Sequence, residues 1–340
     1  MMTQQGKMLV DGEDAFLEYG IFVEQYGYKA LIQMPAFKKL DSTDWPECDG
    51  EEVDLTAPVL DTKTFNIQFC ITNVRYAEDF FNDLSQGAYH TFYFADLKKS
   101  YKLRMTSNGT FSSFINLGKL TLSFADDFPT VPDETPYDFG DTEVAQFGYE
   151  LDGIDLSQFG SYVLKGTDDS LRKTPTVKTN LSVSTKDTAG VSYDSQSVFF
   201  KTKDATLKLL INAVDIDEFW KRWNALFAVL MQAETRRFLF GEMDAEYDCY
   251  YSKNTVTKFE ILNNGHVWCE FSVVLTFTDC RPISQYMLLA TEADDWVITE
   301  DEENPARILI RPRSGISYLI TQSGEFIVTE DGESRIYVNN

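Results

Sequence analysis

The stretch RFLFGEMDAEYDCYY, residues 237–251, reads as a strand, a tight acidic turn and a second strand. A looser copy, HTFYFADLKKSYKLR, stands at residues 90–104. In both, an aromatic–hydrophobic–aromatic triplet leads into a polar turn carrying an acid, and a tyrosine opens the next strand. One hairpin match decides nothing. What decides the fold is whether the match extends outward.

It extends in both directions. YGIFVEQYGYKALIQMPAFK (19–38) faces FGSYVLKGTDDSLRKTPTVK (159–178) at a constant offset of 140: Tyr19 meets Phe159, Gly20 meets Gly160, Leu31 meets Leu171, Pro35 meets Pro175 and Lys38 meets Lys178. TKTFNIQFCI (62–71) faces TKDATLKLLI (202–211) at the same offset, and both alternate apolar and polar with the period of a half-buried strand. A helix is predicted next in each copy, over 75–86 and 215–231. Tyr76, Phe80 and Leu84 form the apolar stripe of the first. In the second, Ile216, Phe219, Trp220, Trp223, Phe227 and Leu230 do so, opened by Asp215 with Glu218 three residues on, a capping-box pattern. The opening hairpins align at 146, and LTLSFAD (120–126) meets VVLTFTD (273–279) at 153, which places Phe124 on Phe277. Offsets that only step upward are insertions in a duplicated unit.

The expected architecture is mainly β: a β-sandwich or barrel with one flanking helix per unit, present twice in tandem. The units span 1–130 and 151–285, joined by a linker, 131–150, whose prolines and acids mark it. A small β-meander over 286–340 is expected from WVITEDE (296–302), YLITQSG (318–324) and FIVTEDG (326–332), short strands ended by turn residues. Two segments interrupt the units before their central strands, acidic 40–61 and Ser/Thr/Gly-rich 183–198, and both read as arms that leave the domain body. Trp45, Pro46, Asp49 and Glu51 on the first arm, and Tyr193 and Asp194 on the second, are the candidate assembly contacts. Phe219, Trp220, Trp223 and Phe227 are expected in the core, because packing on a sheet explains helical spacing without a ligand.

Composition narrows the function. A net charge of -24 argues against a grip on nucleic acid, which needs clustered Lys and Arg. The five cysteines show no CxxC spacing, the N-terminus lacks the apolar stretch of a signal peptide, and no apolar run is long enough to span a bilayer, so a soluble chain made in a cytoplasm is expected. His90 and His266 are the two histidines, and neither stands at ligand spacing from another His or Cys. No phosphate-binding loop, nucleophile elbow or zinc motif occurs. Acid pairs are abundant, but a chain this acidic makes them by accident. No catalytic residue, cofactor or metal is expected.

The second copy carries the more recognisable pattern. A helix with large apolar residues, then RFLFGEMDAEYDCYY, then WCEFSVVLTFTDCRP closing on Phe277, Thr278, Asp279, Cys280, Arg281 and Pro282, resembles the N-terminal domain of siphophage distal tail proteins, a fold shared with tail tube proteins. The resemblance covers roughly 16–129 and 159–282. It implies a virion structural protein forming a ring of six units around the DNA channel, with genomic DNA passing through unbound. Tail tube, hub and tape-measure proteins would be its partners, the host bacterial cytoplasm its site of assembly, and no membrane would be involved. Two units in tandem, where the family has one plus a different sandwich, favour three chains per ring over six. The alternative is a tandem β-sandwich carbohydrate-binding or adhesion protein.

Overall fold

A computed structural model of the chain describes residues 4–115, 117–132, 148–179, 182–187, 189–193, 198–241 and 245–281, together with the strand backbone of 286–288, 307–313, 316–320 and 337–339. The first unit runs β1 (Met8–Val10), β2 (Glu13–Asp14), α1 (Ala15–Tyr19), β3 (Ile21–Val23), α2 (Lys29–Ile32), β4 (Ser42–Thr43), β5 (Glu52–Val53), β6 (Lys63–Ile71), α3 (Ala77–Ser85), β7 (His90–Phe94), β8 (Lys99–Phe114) and β9 (Leu117–Asp126). The second repeats it with β10 (Tyr149–Leu151), β11 (Ile154–Asp155), a 3-10 turn (Leu156–Phe159) in place of α1, β12 (Ser161–Val163), α4 (Thr167–Leu171), β13 (Ser182–Val183), β14 (Ser192–Tyr193), β15 (Lys203–Ala213), α5 (Ile216–Leu230), β16 (Arg236–Phe240), β17 (Ala245–Ile261) and β18 (Val267–Phe277).

Each unit folds one seven-stranded curled sheet, ordered β2-β1-β7-β8-β9-β6-β3 in the first and β11-β10-β16-β17-β18-β15-β12 in the second. The order is the same strand for strand, so the chain is a tandem duplication of a mainly β fold. Small polar contacts repeat as faithfully as strands. Asp11 accepts from the Thr91 backbone N–H, and Asp152 accepts from that of Arg237. Asp14 caps α1 through Phe16 N–H, and Asp155 receives Ser157 N–H at the start of the 3-10 turn. Lys63 donates to the Leu31 carbonyl, and Lys203 donates to that of Leu171. Turns this specific fix where each strand enters the sheet, which is why the repeat keeps them.

The helix shows how one insertion is absorbed. α3 has nine residues, entered through a 3-10 turn (Val74–Tyr76), and α5 has fifteen, and the step from offset 140 to 146 falls in the stretch between the central strand and β16 that holds this longer helix. Asp215 caps α5, its carboxylate accepting from Glu218 N–H at 2.8 Å. Phe219, Trp223, Leu226 and Phe227 are fully buried against the sheet, with Trp223 meeting Phe271 at 4.8 Å between ring centroids. Such aromatic contacts bury large apolar area and fix ring geometry together.

The closing strands pair differently from the expected alignment. Phe65 lies opposite Phe124, and the equivalent Ala205 lies opposite Leu275. The true partner of Phe124 is therefore Leu275, an offset of 151 and not 153. A slip of two residues leaves every side chain on its original face, so alternation alone cannot detect it.

After the second unit, four short strands, Tyr286–Leu288, Arg307–Arg313, Ile316–Ile320 and Tyr337–Asn339, form an antiparallel meander in chain order. The motifs at 296–302 and 326–332, and most of the linker, lie outside the described residues.

Candidate assembly surface

The surface with the most elaborate chemistry is the joint between the two units, built by the first unit's arm. β4 and β5 pair as a short hairpin, Ser42 opposite Val53 and Thr43 opposite Glu52, and its tip reaches the second unit. Lys178 receives the tip. Its side chain is 6% exposed, and its ammonium donates to Asp44, to the Trp45 carbonyl at 2.8 Å and to the Gly50 carbonyl at 2.6 Å. An ammonium has three protons, and three acceptors meet them, so burial leaves none of its donors without a partner. Asp49 accepts from Phe200 N–H at 2.8 Å and from Arg281 Nε at 2.6 Å. Gly50 N–H donates to the Phe200 carbonyl, Glu51 N–H to that of Thr278, and Glu234 N–H returns a bond to Leu55. Gly50 has φ +68°, and a Cβ there would lie 1.7 Å from the Thr278 oxygen, so only glycine lets the arm lie this close.

The segment before the arm covers β17. Tyr251 O–H donates to the Pro35 carbonyl at 3.0 Å, Phe37 meets the Tyr251 ring edge-on at 5.7 Å, and Asn254 accepts from Met34 N–H at 3.1 Å. Burial pushes the Tyr251 phenol well above its ordinary value, so it remains a donor across the working pH range. A third contact joins the β7–β8 turn to α5. Trp220 donates through Nε1 to the Leu97 carbonyl at 2.8 Å, and the Lys99 ammonium lies 4.2 Å from a Trp220 ring centroid. Lys98 and Asp217 form an ion pair beside it.

The residues singled out by sequence fall in several places. Asp49 and Glu51 are in the joint through the bonds above. Trp45 contributes its carbonyl to Lys178, while its exposed ring bonds Glu52 of its own hairpin at 3.1 Å. Pro46 is exposed. Tyr193 pairs with Ser182 in β13–β14, the duplicate of the first arm, and Asp194 lies outside the described residues. Phe219, Trp223 and Phe227 are fully buried. Trp220 differs from the core assignment: partly buried, it packs on the core with one part of its ring and uses the rest to hold the first unit. A helical stripe as wide as that of α5 serves both a core and a joint, and spacing does not separate the two. In sequence Lys178 is the repeat counterpart of Lys38, and a lysine flanked by Val177 and Thr179 gives no sign that it will be buried.

The groups with catalytic potential are otherwise engaged. His90 has Asp11 at 2.6 Å on Nδ1 and the Leu84 carbonyl at 3.1 Å on Nε2. At the equivalent place in the second unit Arg236 binds Asp152 at 3.0 Å, so in both units this position holds the aspartate of the strand turn. Burial pushes the Cys249 and Cys269 thiols far above the usual range, the opposite of a nucleophile's need. Asp279 and Cys280 approach Asp49 closely enough to share a cation, but the Asp49 carboxylate is taken up by Phe200 and Arg281.

No family model matches this chain, and no curated protein does. Three chains among solved structures match. One is the crystal structure of SPP1 Dit (gp 19.1) protein, described as a paradigm of hub adsorption apparatus in Gram-positive infecting phages. It is 12% identical, with 80% of this chain and 98% of that chain covered, at a TM-score of 0.28, too low for the likeness to carry fold or function across.

Proposed function

We propose that this chain is a structural component of a phage tail, in the distal tail or baseplate, where its duplicated units close a ring around the DNA channel and connect the tail tube to the tail tip. The observation that carries the reading is the joint. Its two sides are different surfaces: the arm, residues 34–37 and the β7–β8 turn of one unit meet Lys178, Phe200, α5, β17 and residues 278–281 of the other. A contact between unlike surfaces propagates, and it closes into a ring when the rotation allows. The resemblance of the hairpin and closing-strand motifs to distal tail proteins supplies the expected count of six units, hence three chains. The net charge of -24 suits a channel that repels phosphate and lets DNA slide. Tail tube, hub and tape-measure proteins are the neighbours this role requires, met during assembly in the host cytoplasm.

Negative-stain micrographs of the concentrated protein test the reading, together with a glycan array and a DNA-retention assay at low salt. Annular particles with an open lumen, no glycan hits and no DNA retention are expected. Lumen-free particles that bind glycans would replace the ring with a carbohydrate-binding module.

A further inference from the structure

Each side of the joint has a duplicate elsewhere in the chain, and each duplicate is more exposed to solvent than the side it repeats. Residues 32–37, IQMPAF, are buried or partly buried at the joint, whereas 172–177, RKTPTV, are exposed apart from a partly covered Pro175. Gly50 is buried under Thr278; Gly190, its counterpart at offset 140 with φ +84°, has nothing within 4 Å of its Cβ position. Val183 and Val191 on the second arm are 62% and 58% exposed. The receiving side is equally uncovered in the first unit. Lys178 is buried under the arm, but its counterpart Lys38 is exposed, and among the described residues nothing engages its ammonium. Asn254, Val256 and Phe259 of β17 are buried, while the matching outer half of β8, residues 106–113, is exposed at every described side chain.

We infer that the second arm, through residues 182–187 and 189–192, with the preceding 172–177 segment, docks on Lys38 and the outer half of β8 in a second copy of this chain. The joint within the chain is the template. The same hairpin, ending in the same left-handed glycine, meets the same lysine of the repeat, with the partner supplied by another molecule. The chemistry differs where it should. A surface that waits in water for its partner must be polar, and RKTPTV replaces IQMPAF. The carboxylate of Asp44 is replaced by the hydroxyl of Ser184, so the joint between chains lacks the ion pair that closes the one within. It is the weaker and reversible version of the same contact.

This inference rests on the ring reading only in expecting self-association, and the experiment separates the two. Sedimentation velocity on the full chain across a concentration series compares wild type, Lys38→Glu, Ser184→Asp, and Ser184→Asp in a Lys38→Ala background. Both positions are exposed, and unchanged melting confirms that folding is intact. Lys38→Glu is expected to weaken association about tenfold by placing like charge and desolvated carbonyls together. Ser184→Asp restores the missing carboxylate and is expected to tighten it about threefold, a gain that disappears without Lys38. Wild-type assembly by Lys38→Glu, or a Ser184→Asp gain that survives Lys38→Ala, overturns this joint while leaving rings built by another contact. A chain that stays monomeric in every variant overturns both the joint and the ring.

Discussion

Lys178 and Lys38 are one residue of the repeat in two surroundings, and stability should tell them apart. Lys178→Met leaves the buried Gly50 carbonyl and the partly buried Trp45 carbonyl without their donor, which costs about 1–3 kcal/mol. Lys38→Met changes an exposed side chain and is expected to stay within about 0.5 kcal/mol. Urea midpoints of the two variants make the comparison, and equal effects would mean the arm is not held as described. Lys63 supports a pH prediction. Burial pulls its ammonium down from 10.5 to about 7, with Asp126 opposing and Lys99 adding to the fall. Between these values the unfolded chain holds a proton that the folded chain has released, so this lysine makes stability rise with pH. Below about 7 both states are protonated and the rise ends. Melting temperatures from about pH 7 to 9 should therefore climb less steeply in Lys63→Met than in wild type, and identical slopes would contradict the burial argument.

Among the elements, α5 divides its tryptophans between two jobs. Trp223→Ala empties a fully buried site and is expected to cost about 3–5 kcal/mol. Trp220→Ala removes a hydrogen bond and a cation–ring contact at the joint, about 1–2 kcal/mol, and should free the β7–β8 turn to faster amide exchange. The arms offer a similar pair. Gly50→Ala meets both a left-handed backbone and the Thr278 carbonyl, whereas Gly190→Ala meets only the backbone cost of about 1 kcal/mol. Protease cutting within 44–51 should follow the first substitution and not the second. Much of this architecture was legible in sequence. Alternation over 62–71 and 202–211 located the central strands, and Asp215 announced its own helix cap, because both signals are local. The register of the closing strand was not legible, since a two-residue slip preserves the period. The division between Trp220 and Trp223 was hidden for a related reason: burial in a core and burial in a joint ask for the same residue type. The contrast between IQMPAF and RKTPTV was in plain view, but it acquires meaning only once β17 is known to cover one of them.

At the scale of the whole molecule, the chain is two copies of one unit already joined by a contact between unlike surfaces, with both duplicate surfaces left open at its two ends. On the proposed reading such an object is a segment of a larger ring. Its internal joint is closed by ion pairs within one chain, and its external one lacks the Asp44 carboxylate, so the two-unit segment should be the stable species at low concentration and the ring should form as concentration rises. The unequal arms, acidic over 40–61 and Ser/Thr/Gly-rich over 183–198, would alternate around that ring and give it a threefold surface for neighbouring tail proteins. Native mass measurement of the assembled particle tests this account most directly. A closed ring of three chains, each 38.9 kDa, is the predicted result. Six chains per ring would mean that only one unit of each chain forms it, and a persistent monomer would mean that neither does.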